Sequence, residues 1–423
     1  MHRHFVPRAS LSAIAAVITA VLVFGCGPLA QVRPSGPATP TQPVVEPTRA
    51  PTPSPTLAQP TAVPATPTKS SPDRADIRLE ADGSGDYTTL LDALRAAQDG
   101  ATITLGAGTY RLDSAYTITR SLTLVGAGAD QTAIVSDLES FVVNAQAQGS
   151  FAASGITFSH EGEKPADVVR VFGSEVDVHD CRFTGGVTES DTGTVGSGLA
   201  LEGVSGSVRD CEAADNGLDG ILLKLNAEPT LEGNRCHGNG ANGIAYLGKA
   251  AGMARRNECA ANGLHGILVK EDAHPTLEEN TCTENEQCGI GYFGRAAGEA
   301  RGNECSGNKV DGVCVLAEAK PLLENNTLHD NTDSGIAYFD SAGGSARGNR
   351  CAGNRAQGIY VGEAAQPELV DNDCQGEPVV NRGQTAKPTA TQVAQTGGAG
   401  TPAAGGDLIA FDSKISAGKI FNG

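Results

Sequence analysis

Apolar and polar positions along this chain recur with a period longer than any single helix or strand. Asn234, Asn257, Asn280, Asn303, Asn326, Asn349 and Asn372 stand 23 residues apart without an insertion. Asn216, Asn239, Asn262, Asn285, Asn308, Asn331 and Asn354 keep the same step, and so do the pairs from Gly220-Ile221 to Gly358-Ile359. Short β-branched runs such as "GILVK" and "GIYVG" alternate with Asn/Gly turns, so each period predicts one coil of strands and turns. Stacked coils would form parallel sheets with neighbours about 4.8 Å apart. Asparagine at the turns tolerates left-handed backbone and can bond the next coil, predicting a ladder.

A 46-residue period overlies the first. Pro229, Pro275, Pro321 and Pro367 alternate with Gly252, Gly298 and Gly344, and Leu231, Leu277 and Leu323 with Ala254, Ala300 and Ala346. At another strand Tyr246, Tyr292 and Tyr338 alternate with Leu223, Val269 and Val315. A large residue at one site accompanies a small one at the other, which predicts constant core volume per coil. Glu232, Arg255, Glu278, Arg301, Glu324 and Arg347 alternate in sign at the same step, predicting a ladder of ion pairs on the outside. Cys236, Cys259, Cys282, Cys305, Cys351 and Cys374 share one register with Leu328, so the slot is apolar and interior; buried free thiols are expected there, with disulfides between neighbouring coils as the alternative. A straight stack does not converge tetrahedrally, so no metal is expected from this column.

The alternation "A-x-P-x-L-E-x-N-x-C" with "A-x-G-x-A-R-x-N-x-C", each after "N-x-x-x-G-I", resembles the parallel β-helix repeats of the pectin lyase-like superfamily, of the carbohydrate-binding and sugar-hydrolase type. Similar paired coils occur in periplasmic copper-enzyme maturation proteins and in an F-box class of ubiquitin-ligase adaptors. The resemblance spans residues 76–382 and implies an all-β, single-stranded right-handed parallel β-helix, here of about 10 coils, regular over 204–376. "ADGSGDYTTLLDALRAAQDGATITLGAGTYRL" looks like the leading segment of such proteins, pectin esterases among them. Within it Leu90, Leu91, Leu94 and Ala97 form a helical apolar face, stopped by Gly100, that would cap the open end of the core. Less regular coils follow over 117–203. An insertion "ESDTGTV" at 189–195 moves Cys181 and Cys211 into the register of the Asn234 ladder.

The ends of the chain have a different composition. Residues 1–26 carry Arg3 and Arg8, an apolar run from Leu11 to Phe24, and a closing "VFGC" that resembles a bacterial lipobox with Cys26 as the lipidated residue. Residues 27–75 hold 13 of the 22 prolines, so this segment should stay extended as a stalk reaching on the order of 150 Å. Residues 383–405 read as a second, low-complexity linker, and 406–423 as a short C-terminal segment resembling a truncated repeat. These features predict an extracytoplasmic, lipid-anchored protein whose membrane contact is the N-terminal lipid. A net charge of −18 argues against nucleic acid as a partner.

Polysaccharide-cleaving β-helices carry acids, bases or calcium carboxylates on the outward positions of one sheet. Assuming that the Ile of each Gly-Ile points inward, the outward positions after it carry no carboxylate, and the family motifs of polygalacturonases, pectate lyases and pectin esterases are missing. Glu189 and Asp191 offer carboxylates to calcium, but the reading taken for them is an exposed acidic loop. His274 reads as an ordinary surface residue. What the sheet offers is an apolar stripe of Leu222, Leu247, Leu268, Phe293, Leu316, Phe339 and Tyr360, with Lys224 and Lys270 beside it. Such a band marks an interaction surface. The expectation is therefore a non-catalytic protein with no cofactor, binding a polysaccharide or a cell-surface protein along this stripe. Two alternatives stand beside it. One is a polysaccharide lyase, hydrolase or epimerase with its site in the irregular coils before residue 204. The other is a periplasmic metalloenzyme-maturation accessory, which needs exposed soft ligands; Cys288 and Cys314 are the candidates, in different registers.

Overall fold

The computed structural model describes residues 74–189 and 195–382. Cys26, the segments 1–26 and 383–423, nearly all of the predicted stalk, and Asp191 lie outside the described residues. The first strand, Arg74–Leu79, begins two residues inside the segment read as stalk.

Every turn of the chain lays down up to three short strands, and each strand pairs in parallel with its counterpart one turn on. The result is three parallel sheets of 13, 12 and 11 strands. About 13 turns are stacked, more than the 10 expected. The difference lies before residue 204, where the step is irregular. Ile77, Ile103, Leu124, Ala153, Val178 and Val208 stack upon one another in the 13-stranded sheet although 21 to 30 residues separate them. From Val208 to Leu231, and from there to Leu369, the step is constant at 23.

Thr89 caps the helix Leu90–Ala96, its Oγ1 accepting from Asp92 N at 3.1 Å. Leu90, Ala93 and Leu94 are its buried face. The helix stops three residues earlier than Gly100 predicts, because Ala97 is already extended and opens the strand Ala97–Leu105.

The core is one continuous column of side chains between the sheets. Tyr246, Tyr292 and Tyr338 are fully buried, as are Leu223, Val269 and Val315 on the alternate coils. The compensating Leu231/Ala254 and Leu277/Ala300 pairs are buried with them. Steric limits at the turns explain the 46-residue period. Gly252, Gly298 and Gly344 have φ of +88°, +98° and +87°, and a Cβ there would stand 2.1–2.3 Å from the carbonyl oxygen of Pro229, Pro275 or Pro321 on the preceding coil.

Two asparagine ladders hold the turns. Each Asn accepts from both the backbone N and the Nδ2 of the preceding rung, as Asn280 Oδ1 does from Asn257 at 3.0 and 2.9 Å. Its own Nδ2 reaches a backbone oxygen, Ala254 O at 2.9 Å for Asn280. Cys211 occupies the register of Asn234, as predicted, and its N donates to Asn234 Oδ1 at 3.1 Å. The other ladder ends where Glu377 takes the asparagine's place, accepting from Asn354 N at 2.8 Å.

The cysteine column is buried and reduced: Cys236, Cys259, Cys282, Cys305, Cys351 and Cys374 form no disulfide, nor do Cys181 and Cys211. The outward charge ladder is broken into pairs. Arg255 meets Glu232 at 2.8 Å, Arg301 meets Glu324 at 3.2 Å and Glu299 at 2.6 Å, and Arg347 meets Glu368 at 2.8 Å. Glu278 lies between Arg255 and Arg301 in register but pairs with neither, because each guanidinium turns to a different carboxylate. Its expected role as an ion-pair partner is therefore not realised.

Candidate functional site

The outer face of the 12-stranded sheet carries three parallel columns, set by the two-residue alternation of its strands and the turn before them. The middle column runs Leu222, Ala245, Leu268, Gly291, Cys314, Ala337, Tyr360. Two residues further on lie Lys224, Leu247, Lys270, Phe293, Leu316 and Phe339. The predicted stripe thus belongs to two columns.

It is also less open than expected. Leu222 is buried, at 1% exposure, while Lys224, Leu247, Leu268, Lys270, Phe293, Leu316, Phe339 and Tyr360 are half-buried. Neighbouring side chains on the same face lie over the middle column. The Phe293 ring folds back across Gly291, where a Cβ would stand 2.7 Å from its Cε2. Phe293 and His265 have ring centroids 5.2 Å apart, and Phe339 and Tyr360 5.4 Å. The most exposed aromatic on this face is Phe172, in the register of Glu202 and Lys224 on an irregular coil.

On the other side, two residues before each inward Ile or Val, runs a third column: Asp219, Asn242, His265, Cys288, Asp311, Ser334 and Gln357. All but Gln357 are buried. Most of these groups bond the coil next to them. Asp219 Oδ1 accepts from Asn242 N at 3.0 Å and Nδ2 at 2.8 Å. Asn242 Oδ1 accepts from His265 N at 3.1 Å, and His265 Nδ1 from Cys288 N at 3.2 Å. Asp311 Oδ1 accepts from Ser334 N at 2.9 Å. Burial pushes the Asp219 carboxyl up to about 6 and the Asp311 carboxyl up to about 7, and it pushes His265 down to about 4.

The same burial settles the soft-ligand candidates. Cys288 and Cys314 are 2% and 3% exposed, not exposed as the accessory reading required. They do sit in different registers, but in adjacent columns of successive coils, and they form a disulfide with Cα atoms 6.2 Å apart. His274 is exposed, with Nδ1 3.1 Å from Asp272 O. In the irregular coils the buried Asp167 holds a loop: Oδ1 accepts from Gly196 N and Ser197 N, both at 2.9 Å, and Oδ2 from Arg170 at 2.6 Å.

The polar column was missed in the sequence, yet a signal was there. Seven successive coils place Asp, Asn, His, Cys, Asp, Ser or Gln at one register, as regularly as the asparagine ladders. Its varied chemistry hid it.

Comparison with known proteins agrees with this architecture. The family described as "Right handed beta helix region" matches residues 167–309 and 295–376. The chain is a right-handed parallel β-helix protein. This β-helix resembles the A-module of mannuronan C-5 epimerase AlgE4 from Azotobacter vinelandii, with a TM-score of 0.57 and 20% identity over 71% of this chain and 93% of that one. For the AlgE6 A-module of the same organism the values are 0.50 and 18%, over 67% and 92%. The catalytic domain of a GH87 alpha-1,3-glucanase in complex with nigerose gives 0.51 and 14%, over 75% and 71%. At these identities the likeness is one of fold. No curated protein matches the sequence significantly.

Proposed function

We propose that this β-helix binds an extended glycan along the outer face of its 12-stranded sheet, without transforming it. The observation that carries the reading is the half-buried column in which Leu247, Phe293, Leu316 and Phe339 are interleaved with Lys224 and Lys270 and joined by Tyr360. Half-buried rings on a sheet face offer surfaces on which sugar rings stack, and part of their cost in lost rotamer freedom is already met by packing. Successive coils about 4.8 Å apart repeat those contacts along a linear ligand. The lysines orient a chain that carries carboxylates.

Against catalysis at this face stands the engagement of its acids: Asp219 spends Oδ1 on the next coil's amides, and Asp311 spends Oδ1 on Ser334. The second reading, a polysaccharide lyase, hydrolase or epimerase with its site before residue 204, draws support from the epimerase and glucanase among the similar folds. It also draws on the exposed Phe172 beside Glu202 on those coils. The full chain, passed over immobilised neutral and acidic polysaccharides, should be retained on at least one without releasing reducing ends or unsaturated uronates. Retention should weaken in Phe293→Ala and Phe339→Ala. Product formation that survives both substitutions would overturn the binding reading in favour of the second.

A further inference from the structure

The coils at 265–314 depart from the repeat at four places together. His265 and Cys288 stand in the polar column, Asp311 follows them one coil on, and Cys314 lies on the strand just after Asp311, in the column beside it. Donor atoms of His265, Cys288 and Cys314 all lie within 4.8 Å of one another. Gly291 makes room for this, since a Cβ there would stand 3.1 Å from His265 Nδ1.

A second observation points into the same space. Asp311 is 2% exposed, and its Oδ2 faces Cys288 Sγ at 4.0 Å. In the disulfide that sulfur carries no hydrogen to donate, so Cys288 gives this carboxylate no proton and Ser334 is its donor. A buried acceptor of this kind is costly unless something positive or protic meets it.

We infer that the opened Cys288–Cys314 pair, with His265 and with Asp311 as fourth ligand, forms a buried binding site for a zinc-like divalent cation that exists only when the disulfide is reduced. Two thiolates, an imidazole and one carboxylate are a donor set that suits a four-coordinate, borderline-soft ion. The Cα separation of 6.2 Å serves a disulfide and leaves both sulfurs able to turn toward a common ion. Opening by a trialkylphosphine takes two electrons from phosphorus and two protons and one oxygen from water, yielding two thiols and the phosphine oxide. Each thiol then loses its proton as it binds the cation, so two protons leave per ion. His265 Nδ1 exchanges the Cys288 amide, now 3.2 Å away, for the cation. Phe293, its ring against His265, covers the site and slows exchange with solvent.

The test uses the full chain, oxidised or reduced with a trialkylphosphine, and cobalt(II) and zinc(II) salts as probes. Reduced protein should take up one equivalent of cobalt(II) with thiolate charge-transfer absorption, and zinc(II) should displace it. Oxidised protein should take up none. Cys288→Ser and Cys314→Ser should abolish the band. His265→Gln should raise the zinc Kd by no less than the about 10–100-fold typical when even an outer-shell partner is lost. Phe293→Ala should keep the stoichiometry and hasten loss of zinc to a chelator. Far-UV circular dichroism reports the fold throughout. Cobalt uptake that survives in the double Cys→Ser variant would overturn the proposal, as would its absence in a reduced, folded chain. So would a reduced chain that loses its β signal and does not regain it on adding zinc.

Discussion

Asn257 gives both its backbone N–H and its Nδ2–H to one atom, Asn280 Oδ1, at 3.0 and 2.9 Å. Asn280 in turn donates Nδ2 to Ala254 O at 2.9 Å. One side chain thus meets four buried backbone and amide groups, three on the coil before it and Asn303 Oδ1 on the coil after. The 23-residue step brings this about, because it places every rung directly over the last.

Asn280→Ala should therefore destabilise far more than a typical surface change. Two donors and two acceptors each lose a hydrogen bond in a dry turn, for an expected loss of about 2–4 kcal/mol. Urea unfolding followed by circular dichroism would give the total. Hydrogen exchange should place the loss at the coils on either side, since each coil of a solenoid contacts only its neighbours. A loss under about 0.5 kcal/mol would mean that water or the backbone repairs the gap.

Tyr292→Phe should go the other way. The hydroxyls of Tyr246, Tyr292 and Tyr338 are buried without a hydrogen-bond partner. Removing one takes away an unsatisfied polar atom and leaves the ring in place, so stability should hold or rise by up to about 1 kcal/mol. A thermal melt that falls by several degrees would show that the hydroxyl has found a partner in solution.

The Asp219 carboxyl links stability to pH. Burial, the largest cause, raises it to about 6 from the ordinary 3.8; the nearby Asp167 adds to the rise, while Asn242 and Lys224 oppose it. The folded state holds this proton more tightly than the unfolded chain does, so this group's contribution to stability falls as pH climbs from about 4 to about 6 and is level above. Asp219→Asn keeps an Oδ1 acceptor for Asn242 and cannot ionise. Its stability relative to the parent should grow across that window by about 1–3 kcal/mol and then stay constant. A difference independent of pH would show that Asp219 titrates normally.

The stacked thiols should be inert in the native protein. Cys236, Cys259, Cys282 and Cys305 are 0% exposed. Neighbouring sulfurs, with burial adding, push the Cys259 and Cys305 thiols up. Those two neighbours pull Cys282 down to about 5, but no reagent reaches it while the coils are closed. An aromatic disulfide reagent should modify them only as fast as the coils open, with Cys374 at the C-terminal end reacting first. Rapid modification of four or more thiols in folded protein would contradict the burial.

Much of this architecture can be read from the unaligned chain because the repeat is strict. A constant step fixes register, and register fixes which residues stack; the ladders of Asn234 and Asn216, the Tyr/Leu compensation and the buried cysteine column all follow from it. Even the shift of Cys211 into the Asn234 register was legible as an insertion. The coil count failed where steps of 21 to 30 residues replace 23, since loops there absorb length without leaving a period. Glu278 was misjudged for another reason. Alternating sign places charges near one another, but flexible side chains choose among neighbours by local geometry.

By itself the sequence determined a parallel stack of 23-residue coils, their inward residues and the asparagine turns, because each is a consequence of periodicity along one chain. Only the tertiary structure decided what happens between columns: that Phe293 folds over Gly291, that Leu222 is covered, and that Cys288 finds Cys314 beside His265 and Asp311. Periodicity relates residues of one register. Contacts between registers depend on rotamers and on which position lacks a side chain, and those are settled by packing in three dimensions.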